Sequence, residues 1–147
     1  MRPAAMDRAL CLHEAAHAVT AEVLRPGCVT GISMDYEPGT RDPFSGQVFG
    51  SGVDAVCSWR IWGGHDPNLW IAIAAGREGE LIEPDECRYD AGDRETLRFY
   101  ASPRQRAVAR RKAKSLVKKH SLAVRRVAKG LRDNRTLTGD DIRALIG

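Results

Sequence analysis

The pentapeptide HEAAH at residues 13–17 is the stretch of this sequence that decides how the remainder folds. It lies within residues 5–24, where apolar side chains follow the helical period until Pro26 ends the helix. On a helix, positions i and i+4 lie one above the other on the same face. We therefore predict that His13 and His17 both reach one metal ion.

Glu14 follows the first histidine directly, which places its carboxylate beside an open coordination position rather than among the ligands. There it can take a proton from a metal-bound water that attacks a carbonyl group, and pass that proton to a leaving amine. The pattern also matches two solvated histidines on an exposed helix. However, the surrounding Ala, Leu and Val residues predict that this helix is buried. Burying an unpaired histidine costs free energy, so the apolar surroundings favour a zinc site over two solvated histidines.

The third ligand of such a site must come from elsewhere in the fold, because catalytic zinc usually has three protein ligands and one water. Residues 18–25 contain no histidine, so the longer motif that ends in a third histidine is absent. Two aspartates, one glutamate and one cysteine remain as candidates. They are Glu80, Cys87, Asp90 and Asp93.

Two short strands are predicted after the first helix. Residues 28–35 alternate as a strand does, and residues 45–49 form a second strand that pairs with it. Residues 37–43 between them are a loop by composition. Residues 46–49 are also a candidate edge for an extended substrate peptide, with a plain structural edge as the alternative. Residues 54–62 favour a short helix.

The middle of the chain is predicted to hold a central helix. Asp66 is an N-cap followed by Pro67 at the first helical position, and the helix continues to about residue 81. An acidic loop at residues 83–92 then leads to a helix that begins near Asp93.

The C-terminal part is predicted to form three more helices. Pro103 opens a long basic helix that breaks around His120, and a second piece runs to about residue 133. Thr138 begins a capping box for the last helix, residues 140–146. We thus expect an α+β fold, mainly α, in which a zinc-carrying helix lies next to a small β-sheet and a C-terminal helical bundle.

A chain of 147 residues suits a single domain. We expect the zinc site and the sheet in residues 1–97 and the basic helices in residues 98–147. Residues 1–97 carry a net charge of −8, whereas residues 98–135 carry +13. Such a block of cations can bind nucleic acid, but an amphipathic bundle with a Lys and Arg outer face explains it without a ligand. The apolar residues expected to pack that bundle are Leu116, Val117, Leu122, Val124 and Val127.

Several features indicate a cytoplasmic protein without a membrane span. No stretch of 18 apolar residues occurs, and the N-terminus lacks the apolar run of a secretory signal. The four cysteines form no C-x-x-C pair, so we expect free thiols. No Walker phosphate loop is present, so ATP binding of that kind is not expected.

The sequence resembles the zinc metallopeptidase domain of the FtsH-type AAA+ proteases, and the likeness extends over most of its length. Its C-terminal segments matter most, because a chance match to HEAAH would not bring them along. The resembling segments are HEAAHAV at 13–19, residues 29–33, AAGREGEL at 74–81, YDAGD at 89–93, VAKGL at 127–131 and TLTGDDI at 136–142.

The resemblance implies a zinc metalloendopeptidase that hydrolyses peptide bonds in protein or peptide substrates. It implies His13, His17 and Asp93 as zinc ligands and Glu14 as the general base. Glu80 is then expected to accept a hydrogen bond from a ligand imidazole rather than to bind the metal.

The family normally joins this domain to a membrane anchor and an ATPase, and these 147 residues contain neither. We therefore expect an ATP-independent peptidase for unfolded or small substrates, or one that works with a separate ATPase or as a homo-oligomer. The alternatives are a catalytically silent zinc-containing binding module and a nucleic-acid-binding protein that uses the basic helices. The tryptophans at 59, 62 and 70 depart from the family and are interpreted as core or interface anchors.

Overall fold

The computed structural model describes residues 4–50, 55–60, 62–83 and 89–147. Within these ranges it has six helices and a three-stranded sheet, which confirms the predicted α+β, mainly helical, fold class. In chain order the elements are α1 (Ala4–Leu24), β1 (Val29–Met34), β2 (Ala55–Trp59), α2 (Pro67–Glu80), α3 (Ala91–Tyr100), α4 (Pro103–Lys119), α5 (Ser121–Asn134), β3 (Thr136–Thr138) and α6 (Gly139–Ile146).

Helix α1 lies at the centre of the molecule, with every residue from 9 to 22 buried. Helix α2 packs along one side of it and α5 along another. The approach of α2 is close because Gly79 has no side chain: a Cβ there would lie 2.3 Å from the carbonyl oxygen of Leu12. The first two helices therefore form a rigid pair that carries the histidines.

The sheet is antiparallel, in the order β2-β1-β3. The predicted second strand at residues 45–49 is wrong, since only Val48 makes an isolated bridge, to Arg41. The predicted helix at residues 54–62 is wrong too, because residues 55–59 form β2 and pair with β1. Residues 54 and 61 of that prediction lie outside the described residues. Strand β3 was not predicted.

The loop between β1 and β2 folds back on the sheet through a buried carboxylate rather than through backbone pairing. Asp42 is 1% exposed and accepts hydrogen bonds from the hydroxyl groups of Ser33 on β1, Ser45 in the loop and Ser58 on β2. Burial alone would raise the pKa of Asp42, but these hydrogen bonds lower it below its usual value. The side chain of Asp42 therefore attaches this loop to the sheet, in place of the backbone hydrogen bonds of the predicted second strand.

The C-terminal helices begin and end close to the predicted positions. Ser102 caps α4 in a capping box, the chain breaks at His120, and Thr138 caps α6 in a second capping box. Leu122 is 68% exposed, so the prediction that it packs the bundle is wrong. It lies in the first turn of α5, whose buried face is instead formed by Ala123, Val124, Val127, Ala128 and Leu131.

A buried glutamate joins this bundle to the first helix. Glu22 near the end of α1 accepts hydrogen bonds from the backbone N–H groups of Gly27 and Val29, at 2.8 and 2.9 Å. Its carboxylate also accepts from the guanidinium of Arg143 on α6, at 2.8 Å. Helix α6 is thereby tied to α1 and to the start of β1.

None of the helices in the described ranges combines the length and apolar character that a membrane crossing needs.

Candidate metal centre

Three side chains from two distant helices meet at one point. His13 and His17 lie on one face of α1, as predicted, and Asp93 reaches them from the first turn of α3. The Nε2 atoms of the two histidines are 3.0 Å apart. Oδ2 of Asp93 lies 3.0 Å from Nε2 of His13 and 3.1 Å from Nε2 of His17. The structure thus brings together the three residues predicted as ligands.

Each imidazole ring is oriented through its other nitrogen. Nδ1 of His17 lies 2.8 Å from the carbonyl oxygen of Ala72, and Nδ1 of His13 lies 3.1 Å from Oε2 of Glu80. Since a carbonyl or carboxylate oxygen only accepts, both Nδ1 atoms must be donors. In the neutral rings Nε2 then carries a lone pair, so two nitrogen lone pairs and one carboxylate oxygen converge.

Such a convergence of electron pairs calls for a cation, and its dimensions fit zinc. Ligand atoms at about 2.0–2.1 Å from a tetrahedral Zn²⁺ lie about 3.3 Å from one another, close to the distances seen here. Two imidazoles and one carboxylate are zinc ligands, and three of them leave a fourth position open for water. Partners that accept from the far ring nitrogens are also typical of zinc-bound histidines.

The electrostatics of the three residues show how strongly this point attracts positive charge. Burial alone would lower the pKa of His13, but Asp93, Glu80 and Glu14 outweigh it and raise the pKa to about 10. The pKa of His17 is raised against its burial by Asp93. Burial would raise the pKa of Asp93, yet the two histidines hold it below its usual range. Protons or a metal ion satisfy the same electron pairs.

Glu14 lies next to this cluster without belonging to it. Its side chain is buried, lines the cleft, and makes no hydrogen bond or ion pair with any described residue. Burial raises its pKa, and the nearby His13 and His17 only partly oppose the shift. A buried carboxylate with a raised pKa and free oxygens is suited to take up a proton and release it again.

Two of the other predicted candidates, Asp90 and Glu80, do not reach the cluster. Asp90 occupies the N-cap position of α3, which begins at Ala91, close to the predicted start near Asp93, and it pairs with Arg94 at 3.4 Å. Glu80 contacts Nδ1 of His13, the hydrogen bond predicted for it. Its second oxygen accepts from the backbone N–H of Tyr89 at 3.2 Å. Cys87 lies outside the described residues.

Gly76 on α2 is a functional position that the sequence argument missed. A Cβ there would lie 2.6 Å from Cε1 of His13 and 2.6 Å from Nε2 of His17, so only glycine leaves room for both rings. A signal existed: glycine inside a helix is unfavourable by about 1 kcal/mol relative to alanine and indicates a close approach.

A cleft of about 600 Å³ opens beside the cluster. The edge strand β2 forms one side of it, through Ala55, Val56, Cys57 and Trp59. Residues 46–49, predicted as a candidate edge for a substrate peptide, form no strand of this sheet. Gln47 alone of the predicted stretch lines the cleft. The three tryptophans were interpreted from sequence as core or interface anchors, and Trp62 and Trp70 are indeed buried in the core. Trp59 and Trp62 also line the cleft.

This arrangement can hold one divalent cation and place a substrate carbonyl beside it and Glu14. No protein-family model matches the sequence, and no curated protein matches it either. The chemistry is therefore argued from the residues themselves.

Proposed function

We propose that this chain is a zinc-dependent peptidase that hydrolyses peptide bonds in protein or peptide substrates. The observation that carries the proposal is the convergence of His13, His17 and Asp93 beside a buried Glu14 that pairs with none of the described residues. The resemblance to FtsH-type metallopeptidases supports the same four residues in the same roles.

The residues divide the work as follows. His13, His17 and Asp93 would hold the zinc ion, which when bound lowers the pKa of a water molecule and polarises the substrate carbonyl. Glu14 takes one proton from the attacking water as the new C–O bond forms. It then gives that proton to the nitrogen of the scissile bond as the C–N bond breaks. Burial, which raises the pKa of Glu14, makes its carboxylate a stronger base and so favours the uptake of the proton from water.

The edge of β2 supports a peptide as the substrate. Ala55, Val56 and Cys57 line the cleft, and β2 pairs with β1 on only one of its sides in the described sheet. An extended peptide can pair with the other edge through backbone hydrogen bonds. Such pairing requires an unfolded segment, which agrees with an ATP-independent peptidase for unfolded or small substrates. A separate ATPase or self-association would extend that range.

The decisive experiment combines metal analysis with peptide hydrolysis. We expect one zinc ion per chain, hydrolysis of casein or a fluorogenic peptide, and loss of hydrolysis with retained zinc in Glu14→Gln. Glu78→Gln, at a half-buried position of α2 outside the cluster, is the matched control and should remain active. Activity that survives Glu14→Gln would contradict the mechanism. Stoichiometric zinc without any hydrolysis in the wild-type protein would favour a silent binding module.

Nucleic-acid binding is a second candidate, favoured by the basic surface of α4 and α5. Residues 98–135 hold 14 Lys and Arg against one acidic residue, Asp133, and much of that charge lies on exposed positions. Binding through phosphate contacts would weaken steeply as salt rises. We expect no binding to DNA or RNA duplexes at low salt in a mobility-shift assay. A salt-dependent shift would instead support this candidate. The buried thiol of Cys28 is free within the described part of the chain, which agrees with a reducing compartment, for which we propose the cytoplasm.

A further inference from the structure

The cleft has an apolar side that the proposed mechanism leaves without a role. We call it the aromatic wall; its members are Trp59, Trp62, Leu69, Ile73 and Tyr100. The rings of Trp59 and Trp62 stack, with centroids 5.9 Å apart and planes 20° apart. The centroid of Trp59 is 6.0 Å from that of His17. The wall therefore begins directly beside a proposed zinc ligand.

The wall is held in place before any ligand binds. Nε1 of Trp70 donates to the carbonyl oxygen of Gly64 at 2.7 Å, which fixes the turn after Trp62. The ring of Tyr100 packs on the same turn, so closely that a Cβ on Gly64 would lie 2.5 Å from it. A preformed surface loses little conformational entropy on binding. This rigidity is typical of a binding pocket.

The indole nitrogen of Trp62, a member of the wall, has no hydrogen-bond partner in the part of the chain that the structure describes. Trp62 is 5% exposed and lines the cleft, yet its indole N–H finds no acceptor among the described residues. Buried N–H groups are nearly always hydrogen-bonded, because an unpaired one is costly. A peptide substrate carries an oxygen acceptor at every residue. An oxygen that reached Trp62 would supply the missing partner.

We propose that the aromatic wall is the subsite for a large apolar side chain of the substrate, so that peptides with an aromatic or large aliphatic residue next to the scissile bond are selected. This inference rests on the proposed peptidase function. The indole N–H of Trp62 donates to an oxygen of the same bound peptide. The substrate class is thus an unfolded, apolar segment of a protein.

The character of the cleft decides between side chains. A volume of about 600 Å³ accommodates a Phe or Leu side chain together with backbone. An acidic side chain would lose its hydration on the wall and lie near the carboxylates of Glu14 and Asp93. Replacing Phe by Ala removes the packing on the two indole rings. We expect that replacing the apolar side chain of the peptide by Ala or by Asp lowers kcat/KM by at least about 10-fold.

The test uses fluorogenic peptides that are identical except for Phe, Leu, Ala or Asp next to the cleaved bond. Hydrolysis is measured with the zinc-loaded wild-type protein as kcat/KM. Binding of the same peptides is measured by fluorescence anisotropy with zinc-loaded Glu14→Gln. We expect Phe and Leu peptides to exceed Ala and Asp peptides by at least about 10-fold in both measurements.

Protein variants then locate the preference. Trp59→Leu should reduce the ratio between Phe and Ala peptides, whereas Trp62→Phe, which keeps a ring and removes the N–H, should weaken binding of all peptides several-fold. Leu122→Ala removes an exposed apolar side chain of α5 and is the control that should change neither. Zinc content and circular dichroism confirm that each variant is folded.

The two proposals fail in different ways. Equal hydrolysis of all four peptides, or a preference for Asp, would overturn the aromatic wall as a subsite and leave the peptidase function standing. Preferred binding of Phe and Leu peptides without hydrolysis by the wild-type protein would support the subsite and overturn the peptidase. The comparison of peptides on the unchanged protein does not depend on whether a variant folds.

Discussion

The two proposed zinc-binding histidines owe their orientation to groups that would not touch the metal. Glu80 is 1% exposed and turns the ring of His13, while the carbonyl of Ala72 turns that of His17. Both partners lie on α2, so the helix behind the site sets the direction of both lone pairs. Mutation of a group that orients a metal ligand in this way commonly lowers metal affinity about 10–100-fold.

We therefore expect Glu80→Gln to lower zinc affinity about 10-fold, at the mild end of that range, because the amide oxygen still accepts but carries no charge. Zinc titration against a competing chromophoric chelator measures the change. Glu78→Gln, two residues earlier on α2, should bind zinc like the wild-type protein. Equal affinities in all three proteins would mean that Glu80 does not tune the site.

Removal of the metal should expose a second effect of the same cluster. In the metal-free protein the pKa of His13 is about 10, against about 6.5 in an unfolded chain. Protonated His13 then stabilises the fold fully below pH 6.5, and this contribution disappears as the pH rises to about 10. The free energy of unfolding of the metal-free wild-type protein should thus approach that of His13→Asn over this interval.

Urea denaturation with a chelator present, at pH 6 and pH 10, measures that difference between the two proteins. A difference that stayed constant with pH would contradict the prediction. With zinc added, the free energy of unfolding of the wild-type protein should instead rise with pH, because metal binding requires neutral imidazoles and competes with protons.

The sequence predicted these residues unequally. His13 and His17 follow from the period of one helix, which is local information. Asp93 depends on how α3 packs against α2, so the residue pattern alone left it beside Glu80 and Asp90, and only the resemblance favoured it. Trp62 gave no sign of lining a cleft, because its exposure is decided by the turn that follows β2.

At the level of elements, the contact between α1 and α2 depends on two glycines with different neighbours. A side chain at Gly76 would meet the histidine rings, whereas one at Gly79 would meet the backbone of Leu12 and the Cβ of Ala16. Imidazole rings can rotate away from an added methyl group, but backbone cannot move without separating the helices. The two positions should therefore respond differently to the same substitution.

We expect Gly76→Ala to keep the fold and to lose zinc affinity by at least about 10-fold, since the rings must leave Glu80 and Ala72. Gly79→Ala should destabilise the protein by about 1–3 kcal/mol through overpacking. Zinc titration and urea unfolding of both variants measure the two effects. Strong zinc binding by Gly76→Ala would show that the histidines do not need this space.

The elements that the sequence predicted well are those with local signals. The N-caps at Asp66, Ser102 and Thr138 mark where α2, α4 and α6 begin. Strands β2 and β3 have five and three residues, and each forms only by pairing with the distant β1. Periodicity over so few residues is a weak signal, so the formation of β2 and β3 could not be predicted without knowing that they pair with β1.

At the level of the whole molecule, the basic helices and the proposed zinc site are physically joined. Helix α5 packs on α1, and Arg143 of α6 bonds to Glu22 at the end of α1. The division into residues 1–97 and 98–147 therefore describes charge more than structure. The prediction of a single domain implies that both parts unfold together.

We expect one cooperative unfolding transition, coincident by tryptophan fluorescence and by far-UV circular dichroism. The fluorescence reports on residues 59–70, while the dichroism includes α4 to α6. Zinc at 100 times its dissociation constant should stabilise both signals by about 2.7 kcal/mol. His17→Ala is the control that should gain nothing. Two separate transitions would show that the basic helices fold on their own.

The distance in sequence between the proposed ligands has a consequence for the synthesis of the protein on the ribosome. Asp93 follows His17 by 76 residues, and the helix α5 that packs on α1 follows later still. A ribosome exposes the two histidines long before the carboxylate that completes the triangle. The nascent chain therefore carries an incomplete metal centre, two imidazoles without their carboxylate, until translation has passed Asp93 and α3 has packed into place.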